Sequence, residues 1–261
     1  MRLLHYTANG RSACGILEGD RISELRGNLF DPLERTGTEH KLAEVKLEVP
    51  VMPRTFYAVG MNYTKHVIEA AAQRGETPNF PAKPDVGYRA VNALIAHGEP
   101  VIIPRDATKI HYEGELVVVI GRKAKHLSVS DALSCVLGYT IGNDVSERNW
   151  QKADRTFWRS KNSDTFKPMG PWIETQLDLD AAETIIRLNG AEKLRFKTNE
   201  MLFGIAEYLS TMTQYLTLYP GDVIWMGTDG FSSDIHPGDV VEIEVTGIGT
   251  SANKFVLEQQ S

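Results

Sequence analysis

One stretch constrains this chain more than any other: His111-Tyr112-Glu113-Gly114-Glu115-Leu116-Val117-Val118-Val119-Ile120-Gly121. Leu116 to Ile120 is an unbroken apolar, largely β-branched run closed by Gly121. It is too short for a periodic helix and reads as a buried strand. Just before it, Glu113 and Glu115 stand two residues apart, which in an extended chain turns both carboxylates to one face. Two anions at the mouth of a buried strand repel each other and lose hydration, so they call for a cation. A hard divalent metal answers that need, because carboxylate oxygens suit Mg²⁺, Mn²⁺ or Ca²⁺. Taken alone, the pair is more often a solvated strand end, since exposed glutamate is common.

A chain of 261 residues with 42% hydrophobic content is expected to bury a full core, as one principal domain with a smaller appendage. Its formal net charge of -6 argues against a nucleic-acid or anionic-membrane surface. No apolar run approaches the length of a bilayer span, and Met1-Arg2-Leu3-Leu4-His5 lacks the apolar core of a signal peptide. The expected location is therefore the cytoplasm. Cys14 and Cys135 are the only cysteines, which supports neither a disulfide framework nor a thiolate metal site.

Residues 1–53 alternate short β-like runs with turn signals such as Asn9-Gly10 and Glu18-Gly19-Asp20, and read as a small N-terminal β domain. Val49-Pro50-Val51-Met52-Pro53 breaks that pattern and marks the boundary with a main body over 54–261. There, Thr55 to Gly60 is a strand candidate, and Met61 to Ala72 reads as a helix ending near Arg74-Gly75. On that helix His66 and Glu69 stand at i and i+3, so they share a face and are placed to hydrogen-bond, as a general base and its orienting carboxylate would. An ordinary surface pair fits the same spacing. Residues 80–100 are irregular, Val101 to Pro104 resumes a strand, Val129 to Leu137 predicts a short helix, and Glu200 to about Met212 a longer one. Asp144 follows the apolar run Tyr139 to Gly142, a position from which it would supply a third oxygen ligand or simply serve a turn.

The ordered set of pieces says more than any one. Gly60-Met61-Asn62-Tyr63 with His66 and Glu69, Tyr112-Glu113-Gly114-Glu115-Leu116, Gly142-Asn143-Asp144-Val145-Ser146, Lys161 ahead of Gly170-Pro171-Trp172, and Pro220-Gly221-Asp222-Val223-Ile224 before Gly227-Thr228 closely resemble the fumarylacetoacetate hydrolase family. The resemblance runs from about residue 55 to the C-terminus, and so many pieces in order make chance agreement hard to sustain. It implies an α+β, β-rich fold, a roll or sandwich of mixed sheets with few helices. The N-terminal module resembles the small β domain that precedes the catalytic part in many bacterial members, and members are typically homodimers.

Carried over by position, the resemblance assigns Glu113, Glu115 and Asp144 as carboxylates for a divalent metal, Mg²⁺ or Mn²⁺ with Ca²⁺ as a further option. His66 and Glu69 match a dyad that activates water, and Lys161 a lysine beside the substrate oxygens. Arg148, Gln151 and Thr228 match substrate-binding positions, as does Arg89 although a lysine is common there, and Asn149 stands where an aspartate is common. The implied activity is hydrolysis of a C–C bond in a β-diketo or acylpyruvate-type acid, in aromatic-compound breakdown. The alternatives are decarboxylation or keto–enol isomerisation of a 2-oxo dicarboxylic acid, a non-enzymatic metal-binding scaffold, and an unrelated β protein. Asp229 and Gly230-Phe231-Ser232-Ser233 depart from the family's usual Pro and small residues. If Asp229 faces the substrate, its charge disfavours a diacid by like-charge repulsion. If instead it caps nearby backbone N–H groups, it has a structural role only.

Overall fold

The computed structural model describes residues 1–259, the side chains of Gln73 and Arg74 excepted. The strand Gly114–Ile120 is buried at every residue because it is covered on both faces. Leu116, Val118 and Ile120 enter one core with Tyr112, Phe166 and Ile224. Val117 and Val119 enter a second with Phe56, Met169 and Trp225. A strand buried on both sides has no polar face, which is why the sequence here runs apolar without alternation.

This strand belongs to a 12-stranded sheet whose main path runs Arg35–Lys41, Arg21–Leu25, Arg11–Glu18, Arg2–Ala8, Lys167–Glu174, Val136–Asn143, Gly114–Ile120, Val223–Trp225, Phe56–Val59 and Val86–Tyr88. The first four all lie within residues 2–41, and they continue the sheet of the later strands through the antiparallel pairs Arg2↔Glu174 and Leu3↔Ile173. A second sheet of five strands comprises Ala191–Lys197, Glu183–Leu188, Val240–Val245, Gly249–Leu257 and Val101–Ile103. The pairs of Val223–Trp225 with Phe56–Val59 and of Gly249–Leu257 with Val101–Ile103 are parallel, so both sheets are mixed. The second sheet reaches the first at Gly114. A Cβ there would come within 2.8 Å of Ile186 and 3.0 Å of Ile243, so the residue between the two glutamates has to be small.

Three α-helices occur among the described residues: α1 (Thr64–Arg74), α2 (Arg148–Ala153) and α3 (Ile205–Tyr215). Helix α1 ends as expected, with Gly75 in the left-handed conformation at φ 68°. Two helix expectations are corrected. Val129 to Leu137 holds only a 3₁₀ turn, Ala132–Cys135, because Val136 onward pairs with the central strand through Ile120↔Val136 and Val119↔Gly138. The ladder overrides local propensity there. Helix α3 starts at Ile205, not Glu200, because Asn62 takes the backbone just before it: its carbonyl accepts from the Leu202 N–H at 2.7 Å and its side-chain oxygen from the Phe203 N–H at 3.1 Å. No helix among the described residues is long and apolar enough to cross a membrane.

Candidate metal centre and active site

The site is built where strands end. The register Gly114↔Asn143 sets Glu113 opposite Asp144, and the Asp144 N–H donates to the Glu113 carbonyl at 2.8 Å. The Asn143 side-chain oxygen accepts from the Glu113 N–H at 3.0 Å, which closes the corner. Glu115, one pleat further in, receives the Gly227 N–H at 2.8 Å. Gly227 stands at φ 86°, a turn conformation that costs glycine little. In this way Glu113, Glu115 and Asp144 converge, with one oxygen of each within 4.8 Å of the others, and all three are buried.

Cations meet two of these carboxylates directly. Lys161 Nζ lies between Glu113 at 2.6 Å and Asp144 at 2.8 Å. Arg148 reaches the other Glu113 oxygen at 2.7 Å. Arg89 grips Asp144 with Nε at 3.1 Å and Nη2 at 2.8 Å, and Lys167 Nζ approaches the same carboxylate at 2.8 Å. Glu115 pairs with no cationic side chain among the described residues.

The electrostatics follow that division. Burial pushes the Glu113 carboxyl up, but Lys161 and Arg148 outweigh it and hold it at about 2. Burial likewise opposes ionisation of Asp144, and Arg89, Lys161 and Lys167 together hold it well below the usual carboxylate range. For Glu115, burial and then the neighbouring Asp144 and Glu113 push its carboxyl well above that range, opposed by Lys161 and the Gly227 N–H. Burial also brings the Lys167 ammonium down to about 8 against the pull of Asp144.

These residues fit a hard divalent cation. The donors are all carboxylate oxygens, they converge, and one of them, Glu115, has no cationic side chain beside it among the described residues to favour its ionised form. The buried Thr228 hydroxyl also has no hydrogen-bond partner among the described residues. A buried polar atom left in that state is what a ligand would satisfy.

Beside the carboxylates opens a cavity of about 370 Å³, lined by Met61, His66, Lys109, His111, Arg148, Gln151, Lys152 and Phe231 among others. Its charged walls are cationic, and no carboxylate lines it among the described residues. His66 Nδ1 lies 2.9 Å from the Gly230 carbonyl. A carbonyl only accepts, so the proton of the neutral ring sits on Nδ1 and the Nε2 lone pair has no partner among the described residues, as a base requires. The His66 ring also stacks on Phe231, at 5.8 Å between centroids and 24° between planes.

The expected His66–Glu69 hydrogen bond is not present among the described residues. The loop after Thr228 supplies His66 with its partner instead, while Glu69 lies 3.9 Å from Lys65 and lines a neighbouring cavity with Asp229 and Glu200. Sharing a helical face does not bring the two side chains into contact. Asp229 is placed by the same geometry. Its carboxylate accepts the His66 N–H at 2.9 Å in the first turn of α1, so it serves the helix N-terminus and not the cavity of Arg148. Of the two readings of Asp229, the structure bears out the one that bonds backbone N–H and not the one that repels a diacid. Lys161, Arg89, Arg148 and Gln151 lie around the carboxylates or the cavity, and Thr228 follows Gly227, whose N–H meets Glu115.

Residues 55–256 match the family model described as fumarylacetoacetate (FAA) hydrolase C-terminal, and residues 1–50 match that of an Rv2993c-like N-terminal domain. The chain belongs to the fumarylacetoacetate hydrolase family. Protein Rv2993c of Mycobacterium tuberculosis is 39% identical over 236 residues, covering 89% of this chain and 87% of its own length. A 2,4-didehydro-3-deoxy-L-rhamnonate hydrolase of a Sphingomonas species is 35% identical over 274 residues, covering 96% of this chain and 94% of its own. The crystal structure of 5-carboxymethyl-2-hydroxymuconate delta-isomerase from Mycobacterium smegmatis superposes with a TM-score of 0.90 at 37% identity, covering 99% of this chain and 100% of that one. The family thus includes both a hydrolase and an isomerase at comparable distance from this chain.

Three residues of the site had no role in the sequence reading: Lys167, His111 and Asp234. Lys167 begins a strand that is otherwise largely apolar, and a lysine in such a run is a usable signal. His111 directly precedes the glutamate pair but carries no spacing that singles it out. Asp234 meets it across 123 residues of sequence, at 2.7 Å, and nothing local announces that contact.

Proposed function

We propose that the chain is a divalent-metal-dependent enzyme that cleaves a C–C bond hydrolytically in an anionic β-diketo or acylpyruvate-type acid. The observation that carries this reading is His66, whose Nδ1–H is spent on the Gly230 carbonyl while its Nε2 has no partner among the described residues, beside a cavity walled by Lys109, Arg148 and Lys152. Glu113, Glu115 and Asp144 would hold the cation, which when bound supplies Lewis-acid polarisation of the oxo group. His66 takes a proton from water, and the Gly230 carbonyl stabilises the imidazolium that results. Lys161 spends two of its three N–H donors on Glu113 and Asp144, which leaves one for a substrate oxygen that gains charge. Arg148, Gln151 and Thr228 orient the acid, and Arg89 anchors Asp144.

A second reading is favoured by the isomerase from Mycobacterium smegmatis, which matches this chain over its whole length. There the same His66 moves a proton on carbon, and no water attacks. A 2-oxo dicarboxylic acid that is isomerised or decarboxylated is the corresponding substrate. The two readings share the base and the metal and differ in what water does.

The deciding experiment offers acylpyruvates, oxaloacetate and hydroxymuconate-type acids to the Mg²⁺- or Mn²⁺-loaded protein in ¹⁸O-labelled water. Hydrolysis places one labelled oxygen in a new carboxylate, whereas CO₂ release or an unlabelled isomer transfers the assignment to the second reading. His66→Ala is expected to lower turnover by about two to four powers of ten with metal affinity kept. Glu69→Gln is expected to cost only severalfold, and a loss equal to that of His66→Ala would restore Glu69 to the dyad.

A further inference from the structure

Arg148 is held by three partners, two of them on the stretch that carries the glutamate pair and one on its own helix α2. Its Nε donates to His111 Nδ1 at 3.1 Å, its Nη1 to Gln151 Oε1 at 2.8 Å, and its Nη2 reaches Glu113 Oε1 at 2.7 Å. A guanidinium carries five N–H groups, so one on each terminal nitrogen is left unspent among the described residues. Two such donors on a planar group match the two oxygens of a carboxylate. Arg148 lines the cavity together with Lys109 and Lys152, so an anion entering there meets that pair of donors.

The contact with His111 fixes more than a distance. A guanidinium nitrogen only donates, so His111 Nδ1 must accept, and the ring proton must sit on Nε2. Nε2 lies 2.7 Å from Asp234 Oδ1, a carboxylate that only accepts from it. The two contacts are compatible in one tautomer and not in the other. His111 is buried, whereas the Asp234 side chain is 56% exposed, on the loop that also carries Phe231. That loop is tied down a second time by Tyr112 Oη and Ser233 Oγ at 3.2 Å.

We propose that His111 is a positioning residue that sets the Arg148 guanidinium as a two-donor grip for a substrate carboxylate remote from the reacting oxo group, with Asp234 holding His111 in the tautomer this needs. The proposal deepens the reading of the site as one for an anionic oxo acid and rests on it. Without His111, Arg148 keeps Gln151 and Glu113 but loses the contact at Nε, so its plane is fixed at the two terminal nitrogens alone and tips more readily. The grip then weakens for a carboxylate while contacts to the oxo group stay as they were. An acid lacking the remote carboxylate does not sense the change.

The test uses two probes of equal length, 2-oxoglutarate and 2-oxopentanoate, titrated calorimetrically into the Mg²⁺-loaded protein. The readout is the ratio of their dissociation constants, not activity. Wild type is expected to prefer the diacid, and His111→Gln, whose amide reaches Asp234 but not Arg148, to lower that preference about tenfold, in the range for a hydrogen bond to a charged group. His111→Asn, whose amide oxygen replaces Nδ1, is expected to restore most of it. Because His111 is buried, the exposed Asp234 gives an independent arm: Asp234→Ala lowers the preference severalfold and Asp234→Asn, which still accepts from Nε2, keeps it. An unchanged ratio in both His111→Gln and Asp234→Ala overturns the proposal. So does equal loss in His111→Asn and His111→Gln, or a wild type without diacid preference. Failure of the labelled-water assay to give any turnover would strike the proposed reaction and leave these binding ratios to be judged alone.

Discussion

The sharpest consequence of the site concerns Glu115, the carboxylate without a cationic partner. Replacing it by glutamine keeps its volume and an oxygen for the Gly227 N–H at 2.8 Å, and removes only the charge. With metal at about 100 times its dissociation constant, wild type gains about 2.7 kcal/mol of stability by mass action. For a chain of this size that is a rise in Tm of roughly 5 to 10 °C. Glu115→Gln is expected to lose most of that response, because the ligand set falls from three carboxylates to two.

The chelator-stripped proteins should differ in the opposite sense, and pH separates them. Burial and its two carboxylate neighbours raise the Glu115 carboxyl in the folded state, so the folded chain keeps a proton that the unfolded chain releases. The stability this protonated form contributes is complete below the ordinary carboxylate value of about 4.3 and is lost as pH rises toward the raised folded value. The loss proceeds by at most about 1.4 kcal/mol per pH unit. Stripped Glu115→Gln lacks this decline, so scanning calorimetry from pH 5 to 8 should show it overtaking stripped wild type. Parallel pH profiles of the two stripped proteins would refute the account of Glu115, as would an undiminished metal response in the variant.

Two further outcomes come from the same packing. Asp229→Ala removes the acceptor of the His66 N–H and should cost about 0.5 to 2 kcal/mol, the range for a lost helix cap, read as a lower midpoint in denaturant. Its ratio of diacid to monoacid binding should not move, and a shift of that ratio would put Asp229 back in the substrate cavity. Gly114→Ala forces a methyl into Ile186 and Ile243 and should cost about 1 to 3 kcal/mol by overpacking, together with weaker metal binding as the flanking glutamates are pushed apart. Unchanged stability there would show that the two sheets give way freely at this point.

What could be read in the sequence was what strand periodicity and chain order determine. Glu113 and Glu115 share a face because they are two apart in an extended chain, and Asp144 joins them because the run before it pairs in register with theirs. Helix α1 ends where a glycine lets it end. What stayed hidden depends on partners far away in sequence. The spacing of His66 and Glu69 fixes a common face but not a contact, and a loop some 160 residues downstream takes His66 Nδ1 instead. The same loop decides which way the charge of Asp229 points, and composition carries no trace of that choice. Val129 to Leu137 has helix-like local spacing, yet the central strand claims its last two residues. Lys167 is fully buried only because Asp144 and two backbone carbonyls, those of Val145 and Phe166, wait for its ammonium.

The charges of the site bear on what it can hold. Glu113, Glu115 and Asp144 face Arg89, Arg148, Lys161 and Lys167, whose side chains are at most 17% exposed. With all seven ionised, the cluster carries one positive charge in excess, and a divalent ion raises that excess to three. Such an excess is costly where water is scarce, because buried charge is tolerated only when it is paired. An entering acid offsets it, and a second carboxylate offsets more than the first alone. With Asp229 committed to the α1 N-terminus, no carboxylate on the cavity wall among the described residues opposes that second carboxylate. On the proposed reading, metal and substrate would support each other's binding through shared charge, with the balance toward a dianionic oxo acid. That direction is opposite to the one Asp229 implies when the sequence is read without its partner.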